Sequence, residues 1–149
     1  MSKPPNFIKI NLDDYHAKLV GKLNDGRQFF ITQPFVMYAN DYVARYLFGK
    51  DGKFIEAKIH DLGKRNNNVL PGNGLVGSEL VESIPKAFLT EMGSYVLSDI
   101  KVAPFRYSFH GVDFGLIANK EDDDDDWTVT AEPGDYMAFF PPWDGDYDT

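Results

Sequence analysis

The stretch FRYSFHGVDFGL at residues 105–116 decides the fold class. Phe105, Tyr107 and Phe109 alternate with Arg106 and Ser108, giving an extended chain one aromatic and one polar face, the period-2 pattern of a half-buried strand. The chain turns at His110-Gly111, and Val112, Phe114 and Leu116 answer the first three residues across the turn. This is an antiparallel β hairpin.

Two more hairpins are predicted upstream. Leu19, Gly21 and Leu23 alternate with Lys18 and Lys22 and are followed by Asn24-Asp25-Gly26. A three-residue turn with Gly26 in the left-handed region pairs Leu19 with Ile31 and Gly21 with Phe29 on one face, and Lys18 with Thr32 on the other. In the second hairpin, Tyr42, Ala44, Tyr46 and Phe48 meet Ile55, Ala57 and Ile59 across an Asp51-Gly52 turn, leaving Arg45, Glu56 and Lys58 outward. Further strands are expected at Trp127–Ala131 and Tyr136–Phe140, joined by a Pro133-Gly134 turn. Between the hairpins, residues 63–77 are rich in Asn and Gly and read as an irregular loop. After that loop Leu80, Val81, Ile84, Phe88, Leu89 and Met92 recur at helical spacing, with Ser78 as a cap, Gly93 as a stop and Pro85 kinking or splitting the helix. The expected fold is α+β: one antiparallel sheet of roughly six to eight strands built from hairpins, with one kinked helix packed on one face. A single domain covers residues 1–149, with an acidic loop at 119–126 and a short C-terminal tail at 141–149.

Composition supports one core and narrows the chemistry. The 149 residues are 43% hydrophobic and 15% aromatic, enough to build that core without a metal or disulfide staple. The absence of cysteine removes disulfides, thiolate zinc sites and cysteine nucleophiles, and fits a reducing compartment. The opening MSKPPNFIKINLDDYH holds no long apolar run, so a cytoplasmic protein without membrane attachment is expected.

Charge is divided unevenly along the chain. Residues 1–65 carry 11 Lys or Arg against 7 Asp or Glu, a net of +4, whereas residues 66–149 carry 4 against 16, a net of −12. Within residues 119–149, 11 acidic groups face only Lys120. Such an end repels nucleic-acid phosphates and anionic membranes and attracts a basic protein.

The motifs that carry familiar chemistries are weak here. Gly72, Gly74 and Gly77 spell GxGxxG, but no strand precedes them and no βαβ pattern surrounds them, so a flexible loop leading to a helix cap is the plainer reading. His16, His60 and His110 lie far apart, without HxxxH or HExxH spacing. No GxSxG elbow is present. Asp144, Asp146 and Asp148 alternate like the first half of a calcium loop, yet its later glycine and glutamate do not follow, and a solvated acidic tail accounts for them equally. No catalytic residue, metal site or cofactor is assigned, and the chain is read as a non-enzyme.

The feature that stands out is the run Glu121, Asp122, Asp123, Asp124, Asp125 and Asp126, followed at once by Trp127 and later by Trp143 between Pro142 and Asp144, with Asp146 beyond. A solvated loop that keeps the protein soluble would look the same. The functional reading makes these ten residues a partner-binding face, in which carboxylates steer a basic protein and the tryptophans anchor it.

Several blocks together carry a resemblance: YH at 15–16, DGRQFF at 25–30, YLFGKDG at 46–52, DI at 99–100, FHGVDFGL at 109–116 and the closing FFPPWDGDYDT. In these the chain resembles small bacterial proteins labelled formate hydrogenlyase regulatory protein. The resemblance covers most of the chain apart from residues 63–95 and implies a regulatory role. It implies no catalytic or binding residue, and no helix-turn-helix pattern is present. The functions expected are an immunity-type protein neutralising a basic, nuclease-like toxin, a regulator acting on a protein partner, or a small enzyme or ligand carrier whose pocket is built from dispersed residues.

Overall fold

The computed structural model describes residues 3–32, 35–37, 40–64, 77–120, 126–133 and 136–149, with side chains described over 3–32, 42–61, 83–120, 126–133 and 136–149. Among these residues the elements run β1 (Ile8–Ile10), β2 (Leu19–Leu23), β3 (Gln28–Ile31), β4 (Phe35–Met37), β5 (Asn40–Phe48), β6 (Phe54–Lys64), α1 (Gly77–Met92), β7 (Tyr95–Leu97), β8 (Ile100–Val102), β9 (Phe105–Phe109), β10 (Val112–Asn119), β11 (Thr128–Glu132), β12 (Met137–Phe139) and β13 (Tyr147–Asp148). Mostly antiparallel sheet with one helix, this is an α+β arrangement.

Among the described residues the single sheet expected from the sequence is three. A six-stranded sheet has the order β4-β5-β3-β2-β7 with β6 on β5, a five-stranded sheet has the order β13-β12-β11-β10-β9, and β1 pairs with β8 alone. The thirteen strands also exceed the expected six to eight. The surplus is in strands of two or three residues, such as β1, β8 and β13, which are too short to show an alternation in sequence. The stretch expected as a C-terminal tail is thereby tied down, with Phe139 opposite Tyr147 and Ala138 opposite Asp148.

The turns explain the registers. Leu23 N–H donates to Arg27 O, Gly26 N–H donates to Leu23 O, and Gly26 has φ +91°, a three-residue loop that sets Leu19 opposite Ile31. The β5–β6 loop repeats it: Gly49 N–H donates to Lys53 O, Gly52 N–H donates to Gly49 O, and Gly52 has φ +88°. In both, the aspartate before the glycine accepts from the N–H two residues on, Asp25 from Arg27 and Asp51 from Lys53. Beyond the second loop a bulge opens, since Leu47 faces Glu56 while Phe48 faces Phe54. Ile55 is the extra residue, so Phe54 turns inward and Ile55, expected in the core, is 51% exposed.

Each face of the six-stranded sheet meets a different layer. Val20, Phe30, Tyr42, Ala44, Tyr46 and Phe48 point to a core shared with the five-stranded sheet and the β1-β8 pair. There Tyr42 meets Phe114 edge-on at 5.4 Å between ring centroids, and Phe105 meets Tyr46 at 4.9 Å and stacks on Phe54 at 4.2 Å. The alternate residues Leu23, Phe29, Ile31, Val43 and Leu47 form a second core with Phe88 of α1. The helix runs through Pro85 as one element and ends at Gly93, φ +82°.

Because α1 covers that second face, Arg45 is only 3% exposed instead of pointing outward as its place in the alternation suggests. Its Nη2 donates to Glu56 Oε1 at 2.8 Å, Nη1 lies 3.9 Å from Glu91 Oε1 of α1, and its guanidinium carbon stands 5.9 Å from the Phe88 ring centroid. Lys58 also pairs with Glu91. The expected GxGxxG glycines Gly72 and Gly74, and Gly134 of the Pro133-Gly134 turn, lie outside the described residues, as does the side chain of Ser78.

Phe114 is fully buried where the two large sheets meet, so Phe114→Ala removes a ring from that contact and leaves a cavity. The expected loss is about 3–5 kcal/mol, read as a lower guanidinium midpoint with an unchanged slope.

Candidate functional site: an acidic groove joining the two ends of the chain

The groove is built where the segment after β1 meets the last nine residues. Asp13 closes a compact turn: its Oδ1 accepts from the N–H groups of Tyr15 and Ala17, each at 2.9 Å, and its own N–H donates to Ala17 O. The other carboxylate oxygen accepts from the Tyr147 hydroxyl at 2.5 Å, and that hydroxyl in turn accepts from His16 N–H at 3.4 Å. Asn11 Nδ2 donates to Asp144 O at 3.1 Å, and Lys9 N–H donates to Trp143 O at 3.3 Å. Gly145 has φ +102°, a backbone conformation that favours glycine, and packs directly on the Asn11 amide, where a Cβ would fall 2.4 Å from Nδ2. These ties leave an open groove of about 640 Å³ lined by Asp13, Tyr15, Asp146, Tyr147 and Asp148.

The electrostatics follow from the contacts. Partial burial pushes the Asp13 carboxyl up, but hydrogen bonds from Tyr147, Tyr15 and Ala17, with the nearby His16, outweigh it and hold the group below its ordinary value. Burial lowers His16, and Asp13 opposes that only in part. Burial together with donation to Asp13 pushes Tyr147 up to about 12, so the hydroxyl keeps its proton. The His16 ring sits 4.1 Å from Tyr15, 5.8 Å from Tyr136 and 6.3 Å from Tyr147, measured between centroids, within an aromatic cluster.

The residues predicted to bind a partner divide three ways. Glu121, Asp122, Asp123, Asp124 and Asp125 lie outside the described residues. Asp126, Asp144 and Asp146 are exposed, and among the described residues no ion pair uses them or Asp148. The tryptophans are half-buried: Trp143, with φ +66°, packs on the main core, and Trp127 Nε1 is buried with no hydrogen-bond partner among the described residues. Trp143 therefore spends its ring on the fold. Exposed aromatic surface comes instead from Tyr15, 57% exposed on the groove.

Among the described residues no group of three His, Asp or Glu is placed to hold a metal ion. Asp144 Oδ1 instead accepts from Asp146 N–H at 3.2 Å, a local turn. His60 packs edge-on against Phe88, and His110, φ +49°, stacks on Phe109 in its turn. No described helix is long and apolar enough to cross a membrane. No protein-family model, curated protein or solved structure matches the chain.

Sequence reading found the C-terminal aspartates but not Asn11, Asp13, Tyr15 or Tyr147 as their neighbours. No local pattern could have shown this, since Asp13 and Tyr147 lie 134 positions apart in the chain.

The folded-state pKa values of His16 and Asp13 both lie below their unfolded values, so the unfolded chain binds more protons and stability rises with pH. The His16 contribution is present above 6.5 and is lost as pH falls through its folded value; that of Asp13 is present above 3.8 and is lost at more acid pH. Tyr147→Phe removes the hydrogen bond that does most to lower Asp13 and costs about 1 kcal/mol at neutral pH. In an NMR titration the Asp13 carboxyl then moves up; an unaltered Asp13 titration would show that the hydroxyl does not hold it.

Proposed function

We propose that the chain is a non-catalytic, acidic cytosolic protein that binds a basic protein partner through this groove and the neighbouring carboxylates, as an immunity-type protein does when it neutralises a nuclease-like toxin. The observation that carries the reading is the set Asp126, Asp144, Asp146 and Asp148, exposed and without an internal cation among the described residues. Charges left open to solvent cost little to keep, and they steer an oppositely charged partner, raising its association rate. Tyr15 supplies a rigid aromatic anchor beside them, the residue type that carries affinity at interface centres. The acidic run at 121–126 adds charge at a point adjoining β11 in sequence. The resemblance to formate hydrogenlyase regulatory proteins supports a second version, in which the partner is a component of a regulatory pathway.

The test is capture of the partner from native lysate, followed by stopped-flow association of the purified pair. Replacing Asp126, Asp144 and Asp146 by Asn is expected to slow association about tenfold at low ionic strength, with the difference shrinking as salt is added. Tyr15→Ala is expected to speed dissociation. Recovery of an acidic partner, or an association rate indifferent to both salt and the Asn substitutions, contradicts the reading. A toxin with a basic C-terminal domain encoded next to this chain separates the immunity version from the regulatory one.

A further inference from the structure

A second groove, of about 430 Å³, opens at the other end of β1, where the two glycine loops approach β8. Lys22, Lys50 and Lys101 line it together with the Phe7 ring and Gly26, and Gln28 forms its floor. All three lysines are exposed, and none takes part in an ion pair among the described residues. The opposing charge in the lining is Asp51, which caps its own loop by accepting from Lys53 N–H. Three ammonium groups against one carboxylate leave the groove at +2. Like charges held around one concavity repel unless an anion sits among them.

The floor is rigid. Gln28, 5% exposed, donates through Nε2 to Gly49 O at 3.3 Å and Lys101 O at 3.0 Å, and accepts through Oε1 from Lys101 N–H at 2.8 Å. One amide thus bolts β3, the β5–β6 loop and β8 together. Ala103 N–H donates to Gly52 O at 2.9 Å, fixing the second loop to the same edge. Gly26 leaves room for the Lys50 stem, since a Cβ there would lie 3.0 Å from its Cδ. The lysines therefore project from a prepared backbone, which lowers the ordering cost of binding.

We propose that this groove binds a small phosphate-bearing anion. A phosphate monoester carries between one and two negative charges at neutral pH and offers three acceptor oxygens, which suits a +2 site with three ammonium donors. A volume of this size falls in the range of small-molecule sites, and the Phe7 ring gives the carbon part of an ester an apolar wall.

The experiment is a two-dimensional amide NMR titration of the full chain with inorganic pyrophosphate, inorganic phosphate and acetate at constant ionic strength. Pyrophosphate and phosphate are expected to give saturable shifts at Gly26, Gly52, Lys101 and the Gln28 side-chain amide, with acetate giving none. Lys50→Gln and Lys101→Gln are each expected to weaken pyrophosphate about tenfold, while the exposed Lys18→Gln, away from the groove, leaves the affinity unchanged. The amide spectrum away from the groove reports that each variant is folded. Absence of saturation by about 10 mM, equal shifts with acetate, or equal weakening by Lys18→Gln overturns the proposal.

Discussion

Strands β3 and β5 are covered on both faces, and the rest of the molecule is arranged around that constraint. Every residue from Gln28 to Thr32 and from Tyr42 to Phe48 is buried. One set of alternate side chains meets the five-stranded sheet and the other meets α1. Little room is left for charge in the middle of the fold, and among the described residues the one guanidinium there, Arg45, is held by Glu56 and Glu91 at the edge of the helix layer. The other charged side chains among the described residues reach the surface, where water or a ligand can solvate them.

That displacement is also a separation. The two grooves sit at the ends of β1, with Phe7 in the basic one and Asn11 in the acidic one, about 13 Å apart along an extended chain. The short strand is held between them by β8, through Ile8 opposite Val102 and Ile10 opposite Ile100. Glycine loops and a buried glutamine prepare the first groove; an Asx turn, a tyrosine hydroxyl and Gly145 prepare the second. Both are built on backbone already fixed by the core, which suits recognition of a partner or ligand without large rearrangement.

What was legible in the sequence was local. The loop with Gly26 at positive φ, the pairing of Phe105 with Leu116 and the stop at Gly93 follow from turn chemistry and periods that a few neighbouring residues express. What was hidden depends on distant chain. Ile55 reads as a core residue until the bulge at Leu47 and Phe48 is known, and Arg45 reads as outward until α1 is placed over it. The three residues of β1 or β8 carry too little pattern to be seen alone. The acidic end was visible as composition, but its groove needs Asp13 and Tyr147, 134 positions apart. Trp143 looked like a partner's anchor because an aromatic among aspartates gives no sign of which way its ring faces; it faces the core.

The central claim is that the anionic surface is open to a cationic macromolecule and distinct from the basic groove. Paired nitroxide probes of like size, one cationic and one anionic, measure this residue by residue through paramagnetic relaxation of the amide protons. The account predicts that the cationic probe relaxes Asp126 and Asp144 to Asp148 several-fold more than the anionic one, with the reverse at Gly26 and Gly52. Equal relaxation by both probes at Asp126 and Asp144 to Asp148 would mean that those carboxylates are neutralised within the molecule, and would contradict it.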